Sequence, residues 1–223
     1  MKFDAVLFDC DGVLVDSEPI TNGVLRTMLG ELGWHLTQEQ CMALFVGKAL
    51  KEETELIARH TARPVGAEWL RSFQERRNVA LLEQLTAIPN IHDAVHAIHA
   101  RHDARIACAS GADRFKVELQ LRKVSLMDYF EGRIFSGYET PRSKPFPDVY
   151  LAAAQALQVD PRRCAVVEDT VTGVNAGIAA GAFVFAYAPT GGGDVLSAAG
   201  ASVVFADMAD LPALMTRESH ASS

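Results

Sequence analysis

The 223-residue chain changes its pattern of apolar and polar positions twice. A short apolar run at residues 5–8 ends abruptly in acidic residues, which predicts a buried strand. Between Asp16 and about Thr86 apolar residues recur at helical spacing and no strand-like run occurs, which predicts an all-helical segment. From Pro89 onward short apolar runs alternate with amphipathic stretches, which predicts strands alternating with helices.

Capping residues, glycines and prolines delimit the individual elements. Ser17 and Thr37 are predicted to begin helices that end at Gly33 and before Gly47. A final helical segment is predicted to fray from Arg217. Further helices are predicted at residues 51–60, 67–85, 92–101, 113–122, 147–157 and 172–180, and strands at 105–109, 133–136, 164–167, 182–186 and 202–205.

The alternation of strands and helices predicts an α/β fold class, with a Rossmann-like parallel sheet covered by helices on both faces. The predicted sheet domain comprises residues 1–16 and 86–223, and the predicted helical domain comprises residues 17–85. Such sheets bind ligands outside the carboxyl ends of their strands. The residues that follow each strand are therefore the first candidates for a functional site.

Composition and charge narrow the class of protein. The formal net charge of −7 and the lack of a basic stripe argue against a nucleic-acid partner, although a few local cations suffice for a small anionic substrate. Acidic residues interrupt the first apolar run and no apolar stretch approaches a membrane span, so we expect a cytoplasmic protein without a membrane partner. The four cysteines are then expected to be reduced thiols. Nothing in the composition predicts an oligomeric state.

Two aspartates follow the first predicted strand. Asp9 and Asp11 are two residues apart, so in extended backbone their side chains point to the same side, and Gly12 lets the chain turn sharply away. Neighbouring carboxylates repel each other unless a cation compensates, and Mg²⁺ prefers oxygen ligands. A solvated turn rich in aspartate and glycine is the simpler interpretation, and this stretch alone does not decide between the two.

Three later strand ends add a hydroxyl group, an ammonium group and two more carboxylates. Ser110 and Gly111 follow the second predicted strand, Lys144 lies in the proline-stiffened loop after the third, and Glu168 and Asp169 follow the fourth. Each has a simpler interpretation, since serine and aspartate commonly cap helices and lysine is commonly solvated. Their joint placement on one sheet edge favours a functional site, and the helix predicted after Gly111 would direct its N–H groups towards an anion there.

These motifs resemble, in order, those of the haloacid dehalogenase-like hydrolase superfamily. The helical insert predicted after the first motif is typical of the helical-cap subgroup, which includes β-phosphoglucomutase and the phosphoglycolate and sugar-phosphate phosphatases. The resemblance covers essentially the whole chain and implies a Mg²⁺-dependent phosphatase acting on a small phosphorylated metabolite. The matching residues are Asp9-Cys10-Asp11-Gly12-Val13-Leu14, then Ser110, then Lys144 in Ser-Lys-Pro-Phe-Pro-Asp, then Glu168-Asp169-Thr170 with Gly173.

The resemblance implies unequal roles for the acidic residues. Asp9 would be the nucleophile that attacks phosphorus and forms an aspartyl-phosphate. Asp11 would protonate the leaving oxygen and then activate water. Asp9, Asp169 and the backbone carbonyl of Asp11 would hold Mg²⁺, with Glu168 assisting directly or through water.

The resemblance also implies which residues bind the phosphate group. Ser110 and the backbone N–H of Gly111 would hydrogen-bond the phosphoryl oxygens. Lys144 would pair with Asp9 and with the transferring group. Lys48, in the helical domain, would either meet a second anionic group of the substrate or be solvated.

Other reactions of the superfamily fit less well. Dehalogenases do not keep a second aspartate as acid and base, so Asp11 argues against that reaction. Phosphonate-cleaving relatives use a cap lysine as a Schiff-base nucleophile, and the sequence singles out neither Lys48 nor Lys51 for that role. A catalytically silent metabolite-binding protein is a further alternative, although none of the motif residues is missing.

A β-phosphoglucomutase-like phosphomutase is the main alternative to a phosphatase. Such mutases carry a histidine where this chain has Thr21, and an arginine three residues after the glycine that corresponds to Gly47. Both departures favour water as the final acceptor. Residues 135–138 and 142–145 also resemble segments of bacterial sugar-phosphate and phosphogluconate phosphatases.

Two further motifs are interpreted as structural. His92, His96 and His99 share a helical face opposite an apolar stripe, which favours a solvent-facing position over a metal site. The three glycines at 191–193 lack the lysine and the spacing of a phosphate-binding loop, so a flexible surface loop is predicted there.

Overall fold

The structure is a computed structural model that describes residues 3–48, 50–103 and 105–220. The chain divides into two compact units. Residues 16–86 form the helical unit, and the chain before and after them forms the sheet unit. This division places Asp16 and Thr86 in the helical unit, whereas the predicted boundaries left both in the sheet domain. Each unit has an apolar core of its own.

Within the described residues, the helical unit contains four α-helices and no strand. Thr37 begins the second helix as predicted, because its hydroxyl accepts the Gln40 N–H at 3.2 Å while the Gln40 side chain accepts the Thr37 N–H at 2.9 Å. Ser17 precedes the first helix but makes no capping hydrogen bond with its side chain. The helices are α1 (Glu18–Glu31), α2 (Gln38–Phe45), α3 (Thr54–Thr61) and α4 (Ala67–Gln84).

The sheet unit is built on six parallel strands, which confirms the predicted α/β fold class. Wholly apolar runs form strands here because helices cover both faces of a parallel sheet. The strand order is β3-β2-β1-β4-β5-β6, so the first strand of the chain lies at the centre. The strands are β1 (Ala5–Phe8), β2 (Ile106–Ser110), β3 (Ile134–Ser136), β4 (Cys164–Glu168), β5 (Phe183–Tyr187) and β6 (Val203–Phe205).

The helices of the sheet unit correct three sequence predictions. A helix at Met127–Phe130 was not predicted, and another begins at Gly193, where a flexible loop was expected. The last helix continues to His220 instead of fraying from Arg217, and residues 221–223 lie outside the described chain. No helix in the described residues is long and apolar enough to cross a membrane. The helices are α5 (Ile91–Arg101), α6 (Arg114–Lys123), α7 (Met127–Phe130), α8 (Asp148–Ala156), α9 (Val171–Ala179), α10 (Gly193–Ala198) and α11 (Leu211–His220).

The structure also tests the predictions made for the histidines and the cysteines. The apolar stripe of α5 is buried, and the His96 ring meets the Tyr129 hydroxyl at 3.1 Å on the exposed side. His92 and His96 are exposed, as predicted, and His99 is partly buried; the Nε2 of His92 lies 2.7 Å from the Val124 carbonyl oxygen. The four cysteines are buried free thiols, as predicted.

The strand register brings four carboxyl ends to one sheet edge. Phe8 of β1 aligns with Cys108 of β2 on one side and with Val167 of β4 on the other. Ser110, two residues further along β2, aligns with Ser136 of β3. The chain segments that follow β1, β2, β3 and β4 therefore begin side by side, and they carry most of the predicted site residues.

Candidate active site

Asp9 stands at the centre of this edge because β1 ends directly before it. Its backbone N–H donates to the Val167 carbonyl of β4 at 3.0 Å. Its side chain is buried, and Oδ1 accepts a hydrogen bond from Lys144 Nζ at 2.6 Å. Contact with a cation is what makes a buried carboxylate tolerable in a protein interior.

Lys144 connects Asp9 to Glu168. Its Nζ also donates to Glu168 Oε1 at 2.6 Å and lies 4.7 Å from the centre of the Tyr150 ring. The Tyr150 hydroxyl donates to the same Glu168 oxygen at 2.7 Å. We call Asp9, Lys144, Glu168 and Tyr150 the Lys144 cluster. Each of the three ionisable side chains in ion-pair contact is at most 10% exposed, so water screens their charges poorly.

Glu168 fastens this cluster to the start of α9. Its second oxygen, Oε2, accepts the backbone N–H groups of Asp169 and Thr170 at 3.0 and 3.2 Å and the Thr170 hydroxyl at 3.2 Å. Thr170 caps α9 by accepting the Gly173 N–H at 3.1 Å, so Asp169 is not the helix cap. With both oxygens engaged, Glu168 holds Lys144 in a fixed position.

The cluster is short of positive charge. Burial raises the pKa of Asp9 to about 7, and the Glu168 and Asp11 carboxylates add to the increase against the opposing Lys144 ammonium. Burial acts to lower the pKa of Lys144, but attraction to Asp9 and Glu168 outweighs it and keeps that pKa well above its ordinary value. Burial acts to raise the pKa of Glu168, whereas Lys144 and the hydrogen bonds lower it overall. One ammonium group thus compensates two carboxylates, and the missing positive charge is reflected in the raised pKa of Asp9.

Asp11 is held by a different lysine. Lys116 Nζ donates to Asp11 Oδ1 at 2.7 Å, and Gln120 Nε2 donates to the same oxygen at 2.8 Å. Lys116 and Gln120 are four residues apart on α6, so they lie on one face of that helix. We call Asp11, Lys116 and Gln120 the Lys116 cluster. Its members lie within the sheet unit, and its lysine side chain is only 7% exposed.

Two glycines give the carboxylates room. Gly12 adopts a left-handed conformation with φ of 79°, and a Cβ at this position would collide with the Asp169 carboxylate. A Cβ at Gly173 would collide with the Glu168 carboxylate. The turn after β1 and the start of α9 can therefore approach the acidic pair only because both positions lack a side chain.

Ser110 ends β2 and is buried beside this group. Its Oγ accepts the Ala112 N–H at 3.1 Å. The cap of α6 is Asp113, whose carboxylate accepts the Lys116 N–H at 2.9 Å, so Ser110 is not a helix cap. Where a Cβ of Gly111 would stand, no atom lies within 4 Å, and a ligand can approach the backbone closely there.

Lys48 lies in the helical unit. Its Nζ is 3.7 Å from Glu53 Oε1, and its side chain is 46% exposed. This is an ordinary surface ion pair, which contributes little to stability. Its predicted contact with substrate stays a prediction.

Asp9, Glu168 and Asp169 could together hold a metal ion. One ligand oxygen from each lies within 4.8 Å of the other two. Carboxylate oxygens suit Mg²⁺, and a divalent cation would relieve the charge deficit at Asp9. Since hydrogen bonds occupy both oxygens of Glu168, the direct ligands that fit best are Asp9 and Asp169. The residues present thus fit the metal that the resemblance implies.

The sequence interpretation missed Tyr150, Lys116 and Gln120. Tyr150 offered one signal, because a tyrosine on the buried face of the helix after Lys144 needs a partner for its hydroxyl. Lys116 and Gln120 offered only their spacing on the helix after Ser110. Neither signal identifies a partner until the sheet order is known.

Comparison with known proteins agrees with this geometry. Residues 3–181, which include both clusters, match the family described as haloacid dehalogenase-like hydrolase. The chain is similar to 6-phosphogluconate phosphatase of Escherichia coli (strain K12), with 34% identity over 187 residues that cover 82% of each chain. It is also similar to hexitol phosphatase B of the same strain, with 29% identity over 180 residues and 79% of each chain covered.

Similarity to a solved structure extends over nearly the whole chain. A HAD family hydrolase from Deinococcus radiodurans R1, crystallised with bound phosphate and sodium, shares 34% sequence identity. The two structures superpose with a TM-score of 0.77, and the match covers 96% of each chain. Fold and sequence therefore point to the same group of proteins.

Proposed function

Because the chain belongs to the haloacid dehalogenase-like hydrolases, we propose that it is a Mg²⁺-dependent phosphatase that hydrolyses a small phosphorylated metabolite. The observation that carries this proposal is the contact of buried Asp9 with Lys144 at the carboxyl edge of the sheet. The enzyme class predicted from the sequence, a phosphoric monoester hydrolase, is confirmed by the family and by relatives named as phosphatases.

Asp9 acts as the nucleophile in this proposal. A carboxylate oxygen of Asp9 attacks phosphorus, the bond from phosphorus to the substrate oxygen breaks, and an aspartyl-phosphate forms. Lys144, already in contact with Asp9 Oδ1, stabilises the negative charge that spreads over the transferring phosphoryl oxygens. Glu168 supports the step by holding Lys144 in place.

Asp11 moves the protons. It protonates the leaving oxygen of the substrate in the first step. In the second step it takes a proton from the water that attacks the aspartyl-phosphate, which releases inorganic phosphate and restores the Asp9 carboxylate. Its position two residues after Asp9 gives one turn both a nucleophile and a proton carrier.

Ser110 and the N–H of Gly111 bind the phosphoryl oxygens in this proposal. Both residues stand where β2 leads into α6, and the N-terminus of that helix favours an anion. Mg²⁺, held by Asp9, Asp169 and the backbone carbonyl of Asp11, would supply positive charge against the carboxylates and the incoming phosphate.

A phosphorylated sugar or sugar acid is the proposed substrate class. Support comes from the similarity to a 6-phosphogluconate phosphatase and a hexitol phosphatase. We propose that the helical unit is a cap domain that selects the substrate, and that Lys48 meets a second anionic group such as a carboxylate. A Lys48→Met variant that loses affinity for 6-phosphogluconate but not for a hexitol phosphate would support that role.

Phosphate release from p-nitrophenyl phosphate, measured with Mg²⁺ and with EDTA, tests the proposed reaction. Asp9→Asn is expected to reduce turnover on the order of 10³-fold or more, because the nucleophile is lost. Asp93→Asn, at an exposed position of α5, is the matched control and should retain full activity.

Three outcomes would change the proposal. Absence of Mg²⁺-dependent turnover would contradict the phosphatase, and full activity in Asp9→Asn would contradict the nucleophile. Conversion of β-glucose 1-phosphate to glucose 6-phosphate would establish a phosphomutase instead. A screen of 6-phosphogluconate, hexitol phosphates and phosphoglycolate then identifies the substrate by its kcat/KM.

A further inference from the structure

Lys116 and Gln120 have no role in the mechanism above, although both contact its proton carrier. We propose that these two residues position the carboxylate of Asp11 for its proton transfers, an inference that rests on the proposed phosphatase function. They act through Asp11 and are positioning residues.

The hydrogen bonds place Asp11 in a single orientation. Both donors, Lys116 Nζ at 2.7 Å and Gln120 Nε2 at 2.8 Å, converge on Oδ1. A carboxylate that turned part of the way about its side-chain bonds would lose both contacts together. Two N–H donors on Oδ1 leave little room for a proton on that atom.

The orientation of the Gln120 amide is itself determined. Gln120 is fully buried, and its Oε1 accepts a hydrogen bond from the Cys10 thiol at 3.4 Å. The amide oxygen therefore faces Cys10, which leaves the NH₂ group to face Asp11. Cys10 lies between the two aspartates of the first motif, so the first motif and α6 are joined at two successive residues.

Burial explains why Lys116 has to serve Asp11. Its side chain is only 7% exposed, and a buried ammonium is tolerated when a carboxylate accompanies it. The carboxylate it contacts is Asp11, whose own side chain is 15% exposed. A solvated lysine would leave Asp11 free to turn, whereas a buried one restricts it.

Helix α6 is a rigid base for the two donors. Asp113 caps it, and Arg114 in its first turn donates to the Ile134 carbonyl of β3 at 2.8 Å. The same helix begins just after Ser110 and Gly111, the proposed phosphate-binding residues. One element thus relates the position of the phosphate to that of the proton carrier, which is the kind of preorganisation that lowers a barrier.

Kinetics of Lys116→Met test the inference. We expect kcat to fall about 10–100-fold, as for other residues that orient a reacting group, while KM changes little because the phosphate-binding residues are intact. Lys123→Met is the matched control, since Lys123 lies on the same helix but is exposed. It should retain the kcat and KM of the unmodified protein.

A double-mutant cycle separates positioning from general structural damage. Asp11→Asn is expected to lower kcat by about 10²–10⁴-fold. If Lys116 acts through Asp11, adding Lys116→Met to Asp11→Asn lowers kcat no further. Gln120→Met should show a smaller loss with the same non-additivity, and it decides the question if Lys116→Met does not fold.

The outcomes distinguish this inference from the function on which it rests. An unmodified protein that releases no phosphate overturns both. An active protein in which Lys116→Met and Gln120→Met match Lys123→Met overturns only the positioning role. The same holds if their losses multiply with that of Asp11→Asn, or if kcat rises, since a rise would mean that α6 holds Asp11 in a resting position.

Discussion

The Lys144 and Lys116 clusters both pair a buried lysine with an aspartate of the first motif, at 2.6 and 2.7 Å, but their charge balance differs. Lys144 faces two carboxylates, Asp9 and Glu168, whereas Lys116 faces one carboxylate beside a neutral amide. The first cluster therefore has a negative charge left over, and the second is balanced. Surplus negative charge suits a place where a divalent cation binds and in turn attracts a phosphate. A balanced ion pair suits a carboxylate that has to keep its orientation.

The two lysines are also held in place by different kinds of neighbours. Lys144 comes from a loop and owes its position to Glu168 and Tyr150. Lys116 comes from the first turn of a capped helix and needs no second carboxylate to hold it. Two ion pairs of nearly equal length can therefore have different roles, and the groups around each pair determine its role.

Replacement of the lysine of the Lys144 cluster is expected to have the largest effect on stability and on activity. Lys144→Met leaves Asp9 and Glu168 buried near each other without a compensating charge. The free energy of unfolding should fall by about 3–5 kcal/mol, and phosphatase activity should fall to background. Urea-induced unfolding in EDTA measures the first effect, and turnover of p-nitrophenyl phosphate with Mg²⁺ measures the second.

Lys123→Met again serves as the control, because the substitution is the same and the position is exposed. Its free energy of unfolding should stay within about 0.5 kcal/mol of the unmodified protein. If Lys144→Met were equally stable, the view that one ammonium balances two carboxylates would be wrong.

An intermediate loss of stability is expected from Tyr150→Phe, which removes a hydrogen bond from the Lys144 cluster but no charge. The ring stays over Lys144, but Glu168 Oε1 loses the donor at 2.7 Å. A hydrogen bond to a charged group contributes about 1.5–3 kcal/mol, so the free energy of unfolding should fall by about that amount. Activity should fall less than in Lys144→Met, since the contact of Lys144 with Asp9 remains.

Tyr129→Phe provides the matched control for that experiment. Its hydroxyl contacts the exposed His96 ring, where water replaces a lost partner at little cost. Equal losses of stability at the two positions would mean that the Tyr150 hydroxyl does not support Glu168.

The sheet and its edge could be predicted because the information is local. A short apolar run followed by Asp9, or by Ser110, is visible in a few neighbouring residues, and parallel sheets put strand ends together. Of the two clusters, the Lys144 cluster could therefore largely be predicted, because it is built on strand ends. Asp9, Lys144 and Glu168 all stand at or after strand ends, so the topology brings them to one edge of the sheet, where the contacts with Glu168 then fix Lys144.

The Lys116 cluster could not be predicted, because its contacts depend on how α6 is rotated about its own axis. Lys116 and Gln120 face Asp11 only when α6 packs with one particular side towards the turn after β1. Nothing in the residues around Lys116 specifies that side, since lysine and glutamine at this spacing are equally typical of a solvated face. Tyr150 was missed for a related reason, as its hydroxyl finds Glu168 from an adjacent helix.

The smallest effect is expected at an exposed pair that is as short as the buried ones. Arg114 and Glu139 meet at 2.6 Å with side chains 41% and 46% exposed, so solvent screening limits the contribution to about 0.2–1 kcal/mol. The hydrogen bond from Arg114 lowers the pKa of Glu139, so its stabilisation is present above the pKa of the unfolded chain and is lost as the pH falls through the lowered folded value. Thermal unfolding from acid to neutral pH should therefore show Glu139→Gln less stable than the unmodified protein near neutrality and equal to it in acid. Glu118→Gln, whose pair with Arg122 spans 3.9 Å, should show a smaller difference. A loss at Glu139 as large as that at Tyr150 would mean that contact distance, rather than burial, sets the energy of these pairs.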